Sequence, residues 1–295
     1  MNQLASPNQY FLLENLGCIR LRGEDTLKFL QGQITINAEN LIENQLILGS
    51  VCNPQGRCVG LFWAGKQADD VVLFQLKETI NDTIAHLSKY AVFFKTEISD
   101  ISDQKVIWGN VSSQALDHSE VDSTIKKHAD IFTQADGLVS LVMADKSAKA
   151  EINNSPKVSE GADAFYLQLT AHQIPWLTSE SQNEFLPHNL NLPDLGAVDF
   201  KKGCFTGQEV IARMQYKGQL KSHIQRFRSQ QKMANVQPLA KVFADGKKAG
   251  EVICGALGTD GMAEFLVLLK DKYLECEIFR MQDENGPILE LVIHS

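Results

Sequence analysis

The chain has 295 residues, 44% hydrophobic and 22% charged, with a formal net charge of −8. That length accommodates two or three domains, and the composition is that of an ordinary soluble globular protein. The acidic balance argues against a protein that coats nucleic acid, and no run approaches the roughly 18 consecutive apolar residues that cross a membrane. Met1 to Glu14 carries no basic residue before the short apolar patch Tyr10 to Leu13, unlike a secretory signal. A cytoplasmic location is expected.

Cys18 to Arg22 alternates and reads as a strand closed by Gly23; Asp25 or Thr26 then caps a short helix, Leu27 to Gln31. Asn53-Pro54-Gln55-Gly56 has the chemistry of a turn between strands. Val59 to Phe62 and Val71 to Leu76 read as paired strands. Thr79 to Tyr90 places Ile80, Ile84 and Leu87 at helical spacing, and Ala91 to Phe94 reads as the strand that follows. This order suggests an α+β layer. Val106 to Val111, a polar helical stretch to about Ile131, and Leu138 to Met143 suggest a second unit. The polar segment Ala150 to Asp163 is the linker candidate. From about Ile224, short apolar runs alternate with the turns Asp245-Gly246, Thr259-Asp260-Gly261 and Asn285-Gly286-Pro287, the pattern of a small β-barrel. The domain division expected is 1–222 and 223–295.

Gly60 to Lys66 has the spacing of a phosphate loop, but Gln67 replaces its hydroxyl residue and Leu61, Phe62 and Trp63 fill it, so a strand explains it better. The six cysteines (Cys18, Cys52, Cys58, Cys204, Cys254 and Cys276) contain no C-x-x-C pair, and no His/Cys cluster has metal-ligand spacing. Residues 201–228 hold seven basic groups against Glu209 alone, a local charge of +6 in a remainder of −14.

That basic stretch contains Lys202-Gly203-Cys204-Phe205-Thr206-Gly207-Gln208-Glu209. Thr206 and Glu209 have capping-box spacing ahead of Val210, Ile211 and Met214. A helix starting at Thr206 would set Cys204 just outside its positive end with Lys202 close by, both favouring thiolate. A cysteine so placed suits a nucleophile, a redox sensor or a transient metal ligand. Gly203 and Gly207 would let backbone amides approach a bound anion or ring.

The octet, continuing through Arg213 to Gly218, resembles the signature of the YgfZ family, K-G-C-[aromatic]-x-G-Q-E. Gly23-Glu24-Asp25 with Phe29-Leu30-Gln31-Gly32-Gln33-Ile34-Thr35 is similar to that family's N-terminal segment. Phe185-Leu186-Pro187, Asn189-Leu190, Leu195-Gly196 and Val198-Asp199-Phe200-Lys201 match its lead-in to the octet. The resemblance spans nearly the whole chain. It implies a fold like the aminomethyltransferase (T-protein) of glycine cleavage: two interleaved α+β domains plus a C-terminal antiparallel β-barrel around a central tetrahydrofolate-binding opening.

It further implies support of iron–sulfur enzymes, including those that methylthiolate tRNA, without extensive direct tRNA contact. Folate and iron–sulfur enzymes or cluster-assembly proteins are the expected partners, with no membrane. Cys204 would be the reactive or metal-contacting group and Lys202 would tune its charge. Gln208 would offer the ligand a polar contact, Arg213 an anion contact, and Glu209 would cap the helix. Positions where relatives stack folate on tryptophan fall at Leu16, which has no ring, and Phe165, which keeps one. The acidic pair of T-proteins would fall at Gly60 and Leu61, and a pterin-contacting glutamate at Ala171. A folate-dependent one-carbon transferase and a binding module using the 201–228 surface are the alternatives.

Overall fold

The computed structural model describes residues 9–112, 121–283 and 285–292. Tyr10–Leu12 (β1) is followed by Leu16–Arg22 (β2), whose alternation sends Leu16 and Cys18 into one core and Ile19 and Leu21 into another. Thr26–Gln31 (α1) buries Phe29 and Leu30. Asp25 stands at its cap, but the carboxylate accepts from the Lys95 amide at 2.9 Å rather than from the helix. Gln45–Cys52 (β3), Cys58–Gln67 (β4) and Asp70–Leu76 (β5) form an antiparallel meander, with the Asn53–Gly56 turn joining the first two.

Lys77–Ala91 (α2) buries Ile80 and Leu87, and Glu97–Asp100 (β6) pairs with β2. The strand expected at Ala91 to Phe94 is instead the end of α2 and a turn. Phe94 N donates to Ala91 O at 2.9 Å and Phe94 packs on Phe29, while Val92 and Phe93 are 73% and 87% exposed. The apolar run misleads because only one of its two rings has a core to enter.

The second half comprises Lys105–Val111 (β7), Ser123–His128 (α3), Ala129–Gln134 (β8), Val139–Asp145 (β9), Lys149–Asn153 (α4), Val158–Ser159 (β10) and Ala162–Ala171 (α5). Part of the polar helical stretch expected before Ile131 lies outside the described residues; Ile131 itself belongs to β8. The stretch Ala150 to Asp163, expected as a linker, holds most of α4, all of β10 and the start of α5. Its polarity reflects a surface helix that buries only Ile152 and a two-residue strand at the sheet edge.

The first ten strands form one sheet in the order β10-β1-β7-β9-β8-β3-β4-β5-β2-β6. A parallel β8–β3 pairing joins its two halves. β1 and β2 are neighbours in the chain but lie in opposite halves, so the halves are interleaved. After Gln208–Lys217 (α6) the chain forms a closed barrel from Ser222–Ser229 (β11), Lys241–Ala244 (β12), Lys247–Leu257 (β13), Ala263–Lys270 (β14), Phe279–Met281 (β15) and Ile288–Leu291 (β16). Asp245 and Gly246 both take positive φ (48° and 68°), the hairpin geometry their sequence predicts. One core gathers residues from both sheet halves, α5, the 174–205 segment and the barrel, including Phe165, Trp176, Phe205 and Cys254. This is the α+β architecture expected: two interleaved halves of one sheet followed by an antiparallel barrel. No helix among the described residues is long and apolar enough to cross a membrane.

Candidate functional site

The 197–207 segment folds back onto residues 32–36, near the start of the chain. Thr35 Oγ1 donates to Ala197 O at 2.7 Å, and Asp199 N donates to Thr35 O at 2.9 Å. Asp199 Oδ1 then accepts from the Lys201 and Lys202 amides (2.7 and 3.1 Å), an Asx turn that aims the Lys202 side chain inward. Lys202 is 8% exposed, and its Nζ donates to Ile34 O at 2.6 Å and Ile36 O at 2.8 Å. The ammonium also lies 5.0 Å from the centre of the Phe205 ring. Burial pushes it down to about 8, with Asp199 opposing the shift.

The ammonium expected to tune Cys204 is therefore occupied in binding the loop to the sheet. Lys202 ties the octet loop to the chain at residues 34 and 36. Cys204 and Gly203 are exposed, and a Cβ added at Gly203 would meet nothing within 4 Å. The thiol stands on an open shelf.

The helix after that shelf begins later than the capping pattern suggests. Gly207, at φ 83°, is the N-cap of α6, and no side chain caps the helix. Thr206 Oγ1 instead donates to Gln33 Oε1 at 3.2 Å, and Thr206 N donates to Gly32 O at 3.1 Å. The expected Thr206–Glu209 box is not formed, because the threonine is drawn to the Gln33 side chain. A Cβ on Gly207 would lie 2.6 Å from Asn53 O and 3.0 Å from Gly56 Cα. Only glycine permits both the dihedral and this approach of the β3–β4 turn. Gln208 is half-buried at the first turn of α6, and Arg213 is exposed farther along it. Val210 and Tyr216 are exposed apolar groups on the same helix.

Beneath the turn, Cys52 and Cys58 face each other across β3 and β4, both fully buried. A thiol–thiol hydrogen bond from Cys58 and then burial push Cys52 well up, which suits inert core thiols. The basic 201–228 stretch is smaller than its count. Lys202 is buried, while Arg226 and Arg228 pair with Glu264 and Asp260 of the barrel, leaving Lys201, Arg213, Lys217 and Lys221 exposed.

A cavity of about 400 Å³ opens where the sheet, α5 and the barrel meet. Its walls include Asn15, Lys77, Glu78, Asp163, Tyr166 and Trp176, closed by the small residues Gly255 and Ala256 of β13. The Tyr166 and Trp176 rings lie 4.8 Å apart. Tyr166 Oη donates to Asn15 Oδ1 at 3.1 Å. Burial raises the Asp163 carboxyl above its ordinary value. Leu16 and Phe165, the expected ring contacts, are 3% and 0% exposed and belong to the core. Phe165 packs edge-on against Trp63 and Tyr166, so the aromatic surface at the cavity belongs to Tyr166, its sequence neighbour, and to Trp176. No periodicity marked Trp176, which sits in an irregular segment.

That irregular segment connects the two regions. Trp176 and Thr178 line the cavity, while Asn183 N donates to Cys58 O and Cys58 N donates to Phe185 O, each at 2.8 Å. The Asn53 side chain adds a 3.0 Å bond to Asn183 Oδ1. The turn under the Cys204 shelf and the cavity wall are thus parts of one hydrogen-bonded run.

No family model matches the chain. Curated relatives called tRNA-modifying protein YgfZ do. The protein from Hamiltonella defensa is 27% identical, covering 96% of this chain and 90% of the relative. That from Aliivibrio fischeri is 27% identical over 95% and 90%, and that from Vibrio vulnificus 32% over 70% and 66%. Among solved structures, the glycine cleavage system aminomethyltransferase T from Bartonella henselae superposes with a TM-score of 0.71 at 17% identity, covering 97% of this chain and 85% of its own. That likeness establishes the fold, and the sequence matches bear the family name that the octet around Cys204 led one to expect. The chain belongs to the YgfZ family.

Proposed function

We propose that the protein is a folate-binding accessory factor in tRNA modification, supporting iron–sulfur enzymes of the methylthiolating kind. The name borne by its relatives supports the tRNA link. The cavity between sheet, α5 and barrel carries the folate reading. Tyr166 and Trp176 offer aromatic surface for a fused ring, and Asp163 and Glu78 offer acceptors suited to the N–H groups of a pterin. These residues fit a reduced folate, which would supply a bound one-carbon carrier. Cys204, exposed on its shelf, would be the group that meets an iron–sulfur partner or its cluster. The 1–222 region would hold the folate, and the barrel from residue 223 would close its cavity.

The aminomethyl-transfer alternative lacks an acid–base agent. At Gly60 a Cβ would lie 2.6 Å from Thr83 Oγ1, leaving no room for a carboxylate, and Leu61 is buried at 7% exposure. Titration of the purified chain with tetrahydrofolate tests the main reading. Saturable binding should weaken at least about tenfold in Trp176→Ala, the loss expected for a stacked aromatic contact. In cells lacking the native gene, Cys204→Ala should fail to restore methylthiolated tRNA while the protein stays folded. Absence of folate binding, or full restoration by Cys204→Ala, would overturn the corresponding half of the proposal.

A further inference from the structure

A second, larger cleft lies at the other end of the β2–β5 ladder, where the strands run toward Arg22 and Asp70 rather than Leu16 and Leu76. Its volume is about 910 Å³. Arg20 and Arg22 of β2, Lys66 of β4 and Lys105 of β7 line it, with the β4–β5 hairpin on its rim. Two of these cations are already matched: Arg22 forms a two-pronged pair with Asp70 (2.7 and 2.6 Å), and Lys105 pairs with Asp145 at 2.7 Å. Arg20 and Lys66 differ. Neither side chain makes a hydrogen bond or ion pair with the described residues, and the Arg20 Nε is buried away from water with no acceptor. A buried N–H left so is costly unless an acceptor arrives.

We infer that this cleft binds a phosphate monoester of nucleotide size. Arg20 offers a planar fork of donors and Lys66 a point charge, the pair of groups that best holds a phosphate dianion. A lone phosphate would leave most of the cleft empty. The Asp69 carboxylate on the same rim makes no hydrogen bond within the described residues and supplies an acceptor for ligand hydroxyl groups. The site lies apart from the folate cavity and does not depend on that reading.

The test is titration of the full chain with adenosine monophosphate and, separately, with inorganic phosphate, followed by calorimetry and phosphorus NMR. Saturable binding of the nucleotide is expected, weakened about tenfold by Arg20→Gln or Lys66→Gln and unchanged by Lys217→Gln on α6. Tighter binding of the nucleotide than of phosphate assigns a phosphate ester; equal affinity restricts the site to the phosphate group alone and overturns the nucleotide-sized ligand. Arg20→Gln should melt no lower than the parent, because the side chain has no partner to lose. A lowered melting temperature would make Arg20 a structural residue and overturn its role as an anion donor. No saturable binding, or equal weakening in Lys217→Gln, would overturn the site.

Discussion

Lys202 Nζ donates a 2.6 Å hydrogen bond to the carbonyl of Ile34, a residue 168 positions earlier in the chain. With the second bond to Ile36 O, this makes Lys202 the bolt between the octet loop and the sheet. Lys202→Met should cost about 2 kcal/mol in urea unfolding, since two carbonyls lose their donor. The same variant has a pH signature. Burial lowers the folded-state value from 10.5 to about 8, so between those limits the unfolded chain binds more protons. Stability of the parent relative to Lys202→Met should therefore rise with pH from about 8 to 10.5. A neutral amine still carries the two N–H groups the carbonyls need. A flat difference across that window would show that the ammonium is not desolvated.

Thr206 and Glu209 should behave differently from a capping box. Thr206→Val removes the bond to Gln33 and should cost about 1 kcal/mol, whereas Glu209→Gln should stay within about 0.5 kcal/mol of the parent. A double-mutant cycle should find coupling between Thr206 and Gln33 and none between Thr206 and Glu209.

Gly207→Ala combines a positive φ with a clash against the Asn53 carbonyl. We expect a loss of about 2–4 kcal/mol, larger than a dihedral penalty alone, read as a fall in melting temperature. The mirror change, Gly203→Ala, meets open space and should be close to neutral.

The six cysteines should separate by labelling rate in the folded protein. Cys204 is exposed and should react first with a maleimide. Cys276 is only partly exposed, and burial followed by its Asp245 hydrogen bond raises its thiol, so it should follow slowly. Cys18, Cys52, Cys58 and Cys254 should label only after unfolding. Fast labelling of any of these four would contradict the packing of the sheet and the barrel.

Local chemistry made much of this fold legible. Strand alternation from Cys18 to Arg22, the Asn53–Gly56 turn and the Asp245-Gly246 hairpin all correspond to structure, because each depends on neighbours in sequence. The strand misplaced at Ala91 to Phe94 failed for lack of information about which rings find a core. At the site, the octet announced itself as a pattern, but the partners of Lys202 and Thr206 lie more than 160 residues away. No spacing rule could report that Lys202 turns inward or that Gln33 competes for the threonine. Trp176 was hidden for another reason: an irregular segment has no period to read.

The interleaving of β1 and β2 bears on the order in which the protein can assemble. As the chain is synthesised from its N-terminus, the β2–β6 half has all its strands once Asp100 has emerged. β1 must wait for Lys105–Val111 and Val158–Ser159, so it stays unpaired while the strand after it already has partners. Residues 32–36 wait longer still, until Ala197 to Thr206 arrives to take their carbonyls and the Thr35 hydroxyl. The Cys204 shelf is therefore built after every strand of the sheet has emerged and before the barrel does, by closing loops of more than 160 residues, and its formation reports that the sheet beneath it is complete.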